Sequence, residues 1–255
     1  MVLTRVLVTR PEPGAARTAA RLAGLGFEPV VLPLSHTVTL NLDASFVPSD
    51  AGAVAVTSAN ALRHASPGLI GRLAHLPCHA VGARTAEAAR QAGFAHVTEG
   101  PGDAAGLAGR IAGTFSGSLV YLCGRVRFPG FEERLSASGV RVDALEVYDT
   151  VTTGYDEASV GEVLDGRPVE AVLLYSAVAA QAMRGLLHRD GLRPLFANAQ
   201  FFALSKRVAA GLGEEPAAMV NVAGHPEEQA LLELLASRLG HKGGGASSHR
   251  PFSLP

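Results

Sequence analysis

The chain has 255 residues, 47% of them hydrophobic, enough to bury a sizeable core as one large domain or two small ones. Its 22 Lys and Arg nearly balance 23 Asp and Glu, for a formal charge of −1, so it lacks the basic surplus of a general nucleic-acid binder. With no Trp and 5% aromatics it also lacks the material for base-stacking platforms, and no run approaches the length of a membrane span.

Val6 to Thr9 reads as a buried strand bounded by Arg10-Pro11, followed by a helix over Gly14 to Leu25 that Gly26 stops in a left-handed conformation. Strands are predicted at Val30 to Leu34 and Val54 to Thr57, the second followed by an Ala-rich helix limited by Pro67. A strand at His79 to Val81 breaks at Gly82, and a helix runs from Thr85 to Gln91, closed by Gly93. The stretch EGPGDAAGLAGRIAG reads as a loop and then a helix capped by Asp103. The second half repeats the theme: strand Leu119 to Leu122, helix Phe131 to Ser138 ended by Gly139, and strand Val140 to Tyr148 with irregular alternation. Strand Val172 to Tyr175, helix Ala177 to Leu187, strand Phe201 to Leu204, helix Lys206 to Leu212 and strand Met219 to Val222 follow. A final helix over GHPEEQALLELLASRLG has Pro226 suited to its first position, and residues 241–255 have the composition of a disordered tail.

Continuous apolar strands alternating with helices predict parallel sheets covered on both faces. An internal repeat is visible. RVLVTRP…ARLAGLGFEPVVLPL matches SLVYLCGR…ERLSASGVRVDALEVY, so Leu22 aligns with Leu135 and Gly26 with Gly139 at an offset of 113; Ser58 aligns with Ser176 at 118 and Gly82 with Ser205 at 123. Two α/β lobes follow, with the cleft between them as the default ligand site. The informative residues fall at strand ends, where such sheets gather ligands and where helix N-termini favour anions. A serine there also caps the next helix, which is the plain alternative for Ser58 and Ser176.

Several chemistries are absent from the sequence. There is no G-x-G-x-x-G after the first strand, no phosphate-binding G-x-x-x-x-G-K-[ST], no H-E-x-x-H and no G-x-S-x-G. Nine histidines are scattered, and the two cysteines, Cys78 and Cys123, form no CxxC pair. No metal or cofactor is expected. MVLTRVLVTRP does not read as a signal peptide, so a cytoplasmic location is expected.

Taken together, VLVTRP (Val6 to Pro11), VTSANAL (Val56 to Leu62), AVGARTAEAARQAGF (Ala80 to Phe94), GDAAGL (Gly102 to Leu107) and LCGRVRFPGFEERLSASGVRVDALEVYDT (Leu122 to Thr150) resemble the uroporphyrinogen-III synthase family. LLYSAVAAQAM (Leu173 to Met183), ALSKRVAAGL (Ala203 to Leu212) and VAGHPEEQALLELL (Val222 to Leu235) extend the resemblance. It implies two segment-swapped parallel-sheet lobes joined by a two-stranded linker, with the active site in the cleft. Lobe one would be about 1–35 plus 154–240 and lobe two about 40–147, with connecting strands at 33–39 and 147–153. The implied reaction closes linear hydroxymethylbilane to uroporphyrinogen III with loss of water and inversion of ring D, without metal or cofactor. The implied partners are that tetrapyrrole and, transiently, the upstream hydroxymethylbilane synthase; the chain would work as a monomer, away from nucleic acid and membrane.

The resemblance carries Tyr148, in its V-Y-x-T segment, and Thr85, in A-V-G-x-x-T, over as catalytic residues. A phenol at position 148 can donate to the departing hydroxyl. Expected contacts to the substrate's carboxylates are Arg10, Ser58, Asn60, Gly82, Gly124, Arg125, Arg127, Ser176, Ser205 and Lys206. The second half departs from the pattern, because Ser205 stands for Gly82 and Val208 for Thr85. A competing reading is a non-catalytic two-lobe protein that binds a small polyanion. A dinucleotide-dependent enzyme is disfavoured by the missing glycine fingerprint.

Overall fold

The computed structural model describes residues 3–127, 129–213 and 220–240. The expected tail at 241–255, and Met219 at the start of an expected strand, lie outside them. In chain order the elements are β1 (Arg5–Val8), α1 (Gly14–Gly24), β2 (Glu28–Val31), β3 (Ser35–Thr39), β4 (Ala51–Val56), α2 (Ala59–His64), α3 (Pro67–Leu73), β5 (Cys78–Ala80), α4 (Ala83–Gln91), β6 (Val97–Glu99) and α5 (Ala104–Thr114). They continue with β7 (Ser118–Gly124), α6 (Gly130–Ala137), β8 (Arg141–Thr152), α7 (Glu157–Val163), β9 (Ala171–Leu174), α8 (Ala177–Leu187), α9 (Arg193–Phe196), β10 (Gln200–Ala203), α10 (Lys206–Ala210), β11 (Val220–Val222) and α11 (Glu228–Leu239).

The chain divides into two compact units, Met1–His36 with Thr152–Pro255, and Thr37–Val151. The first holds a five-stranded sheet in the order β11-β10-β9-β1-β2, all its pairs parallel. Val6 pairs with Ala171 and Val8 with Leu173, so the first strand belongs to the sheet of the C-terminal half. Alternate residues face two cores. Leu7, Val172 and Leu174 pack with Met183, Leu186 and Phe196, while Val6, Val8, Ala171 and Leu173 pack with Leu22, Leu231 and Leu235. Strands buried on both faces need apolar residues at every position, which is why RVLV and AVLL show no alternation. Full burial of each such Leu or Val contributes about 1.5–3 kcal/mol.

The second unit holds the six-stranded sheet β3-β8-β7-β4-β5-β6. Its strands are parallel except at the β3 edge, where the bonds Leu40 N–H to Val147 O and Thr153 N–H to Leu34 O run in the antiparallel sense. Val120 and Leu122 face one core with Leu62, Leu69 and Leu73; Leu119, Tyr121 and Cys123 face another with Ile111, Phe131 and Leu135.

The two sheets are built alike. The unit β1-α1-β2 corresponds to β7-α6-β8, and β9, β10 and β11 correspond to β4, β5 and β6. The aligned stops Gly26 and Gly139 have φ of 82° and 80°, a conformation that favours glycine, and each follows the C-cap residue of its helix.

Local expectations differ from the structure at four places. Pro67 starts α3 rather than merely limiting α2, because Ser66 caps the new helix by accepting from the Leu69 N–H. Pro226 is not the first residue of α11, which begins at Glu228 with Glu227 at its N-cap. Strand β8 runs four residues past Tyr148, and its irregularity is a register shift against β7. Strand β6 and helices α7 and α9 are short elements that periodicity does not resolve.

Candidate active site

The carboxyl ends of β4 and β7 and the facing stretch of β8 bring three expected site residues together. Ser58 follows β4, Gly124 ends β7, and Tyr148 lies in β8. The β7–β8 register pairs Cys123 with Glu146 but Gly124 with Tyr148, so one residue of β8 is skipped and Tyr148 is set opposite the glycine. The Tyr148 carbonyl accepts from Arg125 N–H at 2.9 Å. Its ring stacks on His64 with centroids 5.4 Å apart and planes 24° from parallel. Tyr148 keeps only 8% of its surface exposed. Burial raises the phenol above its ordinary pKa of 10, against the opposing pull of Ser58. The group therefore stays a neutral donor at ordinary pH.

Helix α2 reaches Tyr148 from both of its ends. Ser58 is its N-cap, accepting from Asn60 N–H at 3.2 Å, and His64 is its last residue. The Asn60 side chain accepts from Arg63 at 2.7 Å. His64 Nδ1 lies 2.8 Å from Thr39 Oγ1 and Nε2 lies 2.9 Å from Thr37 Oγ1, so both ring nitrogens engage hydroxyls of β3. Burial, then the neighbouring Arg63 charge, lowers the His64 pKa below 6.5. Beside it Asn41, Asp43, Arg63, His64 and Ser66 line a depression of about 570 Å³.

Gly82 and Thr85 sit at the end of β5 and in the first turn of α4. Gly82 is extended and leaves α4 without a side-chain cap. A Cβ there would lie 3.2 Å from Gly102 Cα, so the glycine lets two backbones meet. Thr85 is 5% exposed and packs within its unit.

The expected arginines are not free. Arg125 pairs with Glu146 and Asp149, each at 3.2 Å; Arg127 meets Glu146 at 2.7 Å and grips both oxygens of Glu132. Bonding by Arg127 is the main cause that lowers the Glu146 pKa. In the other unit Arg10 bonds Glu228 Oε1 at 2.9 Å and lies over the Tyr175 ring at 4.3 Å. The same carboxylate accepts from Thr18, from Tyr175 at 3.2 Å and from Arg21 at 2.8 Å. Burial works against the charge of Glu228, yet these donors and the two arginines hold its pKa below the ordinary value. Ser176, beside Tyr175, caps α8 through Ala179 N–H, and Ser205 caps α10 through Val208 N–H. Lys206 is exposed in the first turn of α10.

His64, Tyr175, Glu146 and Glu228 are the participants that sequence reasoning did not select. Glu228 is readable only as a first-turn acid favourable to its helix, because Arg10, Thr18 and Arg21 lie more than two hundred positions away and Tyr175 lies 53 away. His64 carries one local signal, its place at the far end of the helix that Ser58 caps. Burial pushes the Cys78 and Cys123 thiols up to about 12, which makes them poor nucleophiles.

The family profile described as "Uroporphyrinogen-III synthase HemD" matches residues 16–233. No curated protein sequence matches the chain. Among solved structures, uroporphyrinogen-III synthetase from Helicobacter pylori is similar at a TM-score of 0.63 and 19% identity, covering 93% of this chain and 100% of that one. A mutant uroporphyrinogen III synthase from the extremely thermophilic bacterium Thermus thermophilus is similar at a TM-score of 0.55 and 20% identity, covering 92% of this chain and 97% of that one. At such identities the likeness is one of fold.

Proposed function

The chain belongs to the uroporphyrinogen-III synthase family, and from that membership we infer how its own residues carry out the family's reaction. It is a cyclising lyase that converts linear hydroxymethylbilane to uroporphyrinogen III, with loss of water and inversion of ring D. No observation favours the non-catalytic binding-protein reading.

The chemistry needs a donor to help a hydroxyl leave as water. The electrophile so formed is attacked by the substituted alpha carbon of ring D; the spiro intermediate fragments and recloses with that ring inverted. Holding ring D in one orientation decides the outcome, because unassisted closure gives the uninverted isomer. We assign the donor to Tyr148. The support is its gathered geometry: a buried, neutral phenol stacked on His64 and seated on Gly124 by the β8 register shift. Thr85, with its small exposed surface, is kept as a second catalytic assignment on the family motif alone.

Substrate carboxylates are assigned to Arg10, Arg125, Arg127, Lys206 and the polar groups of Ser58, Asn60, Gly82, Gly124, Ser176 and Ser205. The three arginines already hold protein carboxylates, so a substrate acetate or propionate would bind them by exchange with Glu228, Glu146 or Asp149. Because hydroxymethylbilane closes unaided, a short transfer from the enzyme that makes it would limit the uninverted product. That supports transient contact with the upstream synthase.

The test is isomer analysis. Purified protein given freshly made hydroxymethylbilane should yield predominantly the type III isomer after oxidation. Type I product alone, at the uncatalysed rate, would refute the function.

A further inference from the structure

We propose that His64 is a positioning residue for Tyr148: held by Thr37 and Thr39 and stacked on the Tyr148 ring, it sets the plane in which the phenol is presented. The proposal rests on Tyr148 being the donor.

Three observations carry it. Both imidazole nitrogens are engaged, at 2.8 and 2.9 Å, so the ring cannot turn about its own axis without losing two hydrogen bonds. That ring stacks on Tyr148 at a centroid separation of 5.4 Å, within the range of direct aromatic attraction. The hydroxyls that hold it come from β3, the strand beside β8, and the register set by Leu40 with Val147 and Leu34 with Thr153 places Thr39 opposite Tyr148. The arrangement closes on itself: β8 carries Tyr148, β3 carries the threonines, and α2 presents His64 at one end and Ser58 at the other. His64 packs on the phenol's ring and Ser58, at the other end of the same short helix, pulls the phenol's pKa down, so one helix acts on both the ring and its hydroxyl. A histidine serving only as core filler would be fully buried; His64 is half-buried, at a depression that Asn41, Asp43 and Arg63 share with Leu40, Leu42 and Leu69.

A double-mutant cycle on the intact protein tests this. H64A should lower kcat for the type III isomer by about fivefold or more with KM little changed, because a misplaced donor acts on the transition state and not on substrate affinity. In the Y148F background the same change should alter kcat by less than about twofold, since no donor is left to position. T39V, which removes one of the hydrogen-bond partners of His64 and keeps the imidazole, should show the same non-additivity and serves if H64A does not fold. H64F should retain more turnover than H64A because it keeps a ring against Tyr148. Equal factors for H64A, or for T39V, in both backgrounds would overturn the proposal. So would unchanged kcat in folded H64A while Y148F is impaired. Wild-type turnover in Y148F would overturn the Tyr148 assignment itself, and the proposal with it.

Discussion

Gly124 leaves no room for a side chain beneath Tyr148: a Cβ at that position would lie 2.5 Å from Tyr148 Cζ and 2.9 Å from the hydroxyl oxygen. The backbone at Gly124 is buried, so the tyrosine would have to move. G124A should therefore cost stability by about 1–3 kcal/mol through overpacking and should lower turnover as the phenol is displaced. Thermal melts and initial rates of type III formation check both. An active, fully stable G124A protein would show that the ring position is not critical.

Y148F removes the donor and keeps the ring, so the fold should persist. Turnover should fall about tenfold, equivalent to about 1.4 kcal/mol, with substrate affinity little changed. The rate must be corrected for spontaneous closure to the type I isomer. A rise in KM with unchanged kcat would move Tyr148 from chemistry to binding.

Ser58 and Ser176 occupy matching positions and cap matching helices, so S58A and S176A should each cost about 1 kcal/mol. Their effects on activity should part. S58A also removes the side chain that pulls the Tyr148 pKa down and should lower kcat, whereas S176A, assigned to substrate contact, should raise KM. Identical kinetic signatures in the two variants would refute the distinction.

Glu228 gives a pH signature. Its folded-state pKa is depressed, so its contribution to stability is present above the ordinary glutamate value of 4.5 and is lost as pH falls through that value toward the folded one. E228Q should be less stable than the parent at neutral pH by about 1–3 kcal/mol, because Arg10 and Arg21 lose their counter-charge. The gap between the two proteins should narrow below the ordinary value. Denaturant midpoints measured from neutral to acid pH check it, and a constant gap would exclude Glu228 as the titrating group.

The architecture was legible in the sequence because it depends on burial pattern and chain punctuation. RVLV and AVLL announced two-sided burial, and Leu22 with Leu135 and Gly26 with Gly139 announced the duplicated unit. Proline was ambiguous for a physical reason: it ends one helix or begins the next, and only the Ser66 cap decides at Pro67. Ser58 and Gly124 were legible as strand-end residues and Tyr148 through the family resemblance, but their meeting depends on a register shift that no local pattern reveals. His64 and Glu228 were missed because their meaning lies in distant partners. Periodicity reports how deep a residue sits, not what touches it.

The pairing of Val6 with Ala171 also dictates an order of assembly on the ribosome. At roughly 5–20 residues per second, β1 waits on the order of 10–30 s for its neighbour β9 to be synthesised. Throughout that interval β1 and β2 form at most a two-stranded fragment with an open, apolar edge. The unit Thr37–Val151 is contiguous and needs nothing made later, so it should become protease-resistant first. Stalled nascent chains that expose that unit but not β9 should protect it while the N-terminal strands remain cleavable. Protection of β1 at that stage would mean that another partner shelters it. The first strand of this sheet to be made is thus among the last to gain both its neighbours, and the cell must keep it from pairing with a strand of another chain in the meantime.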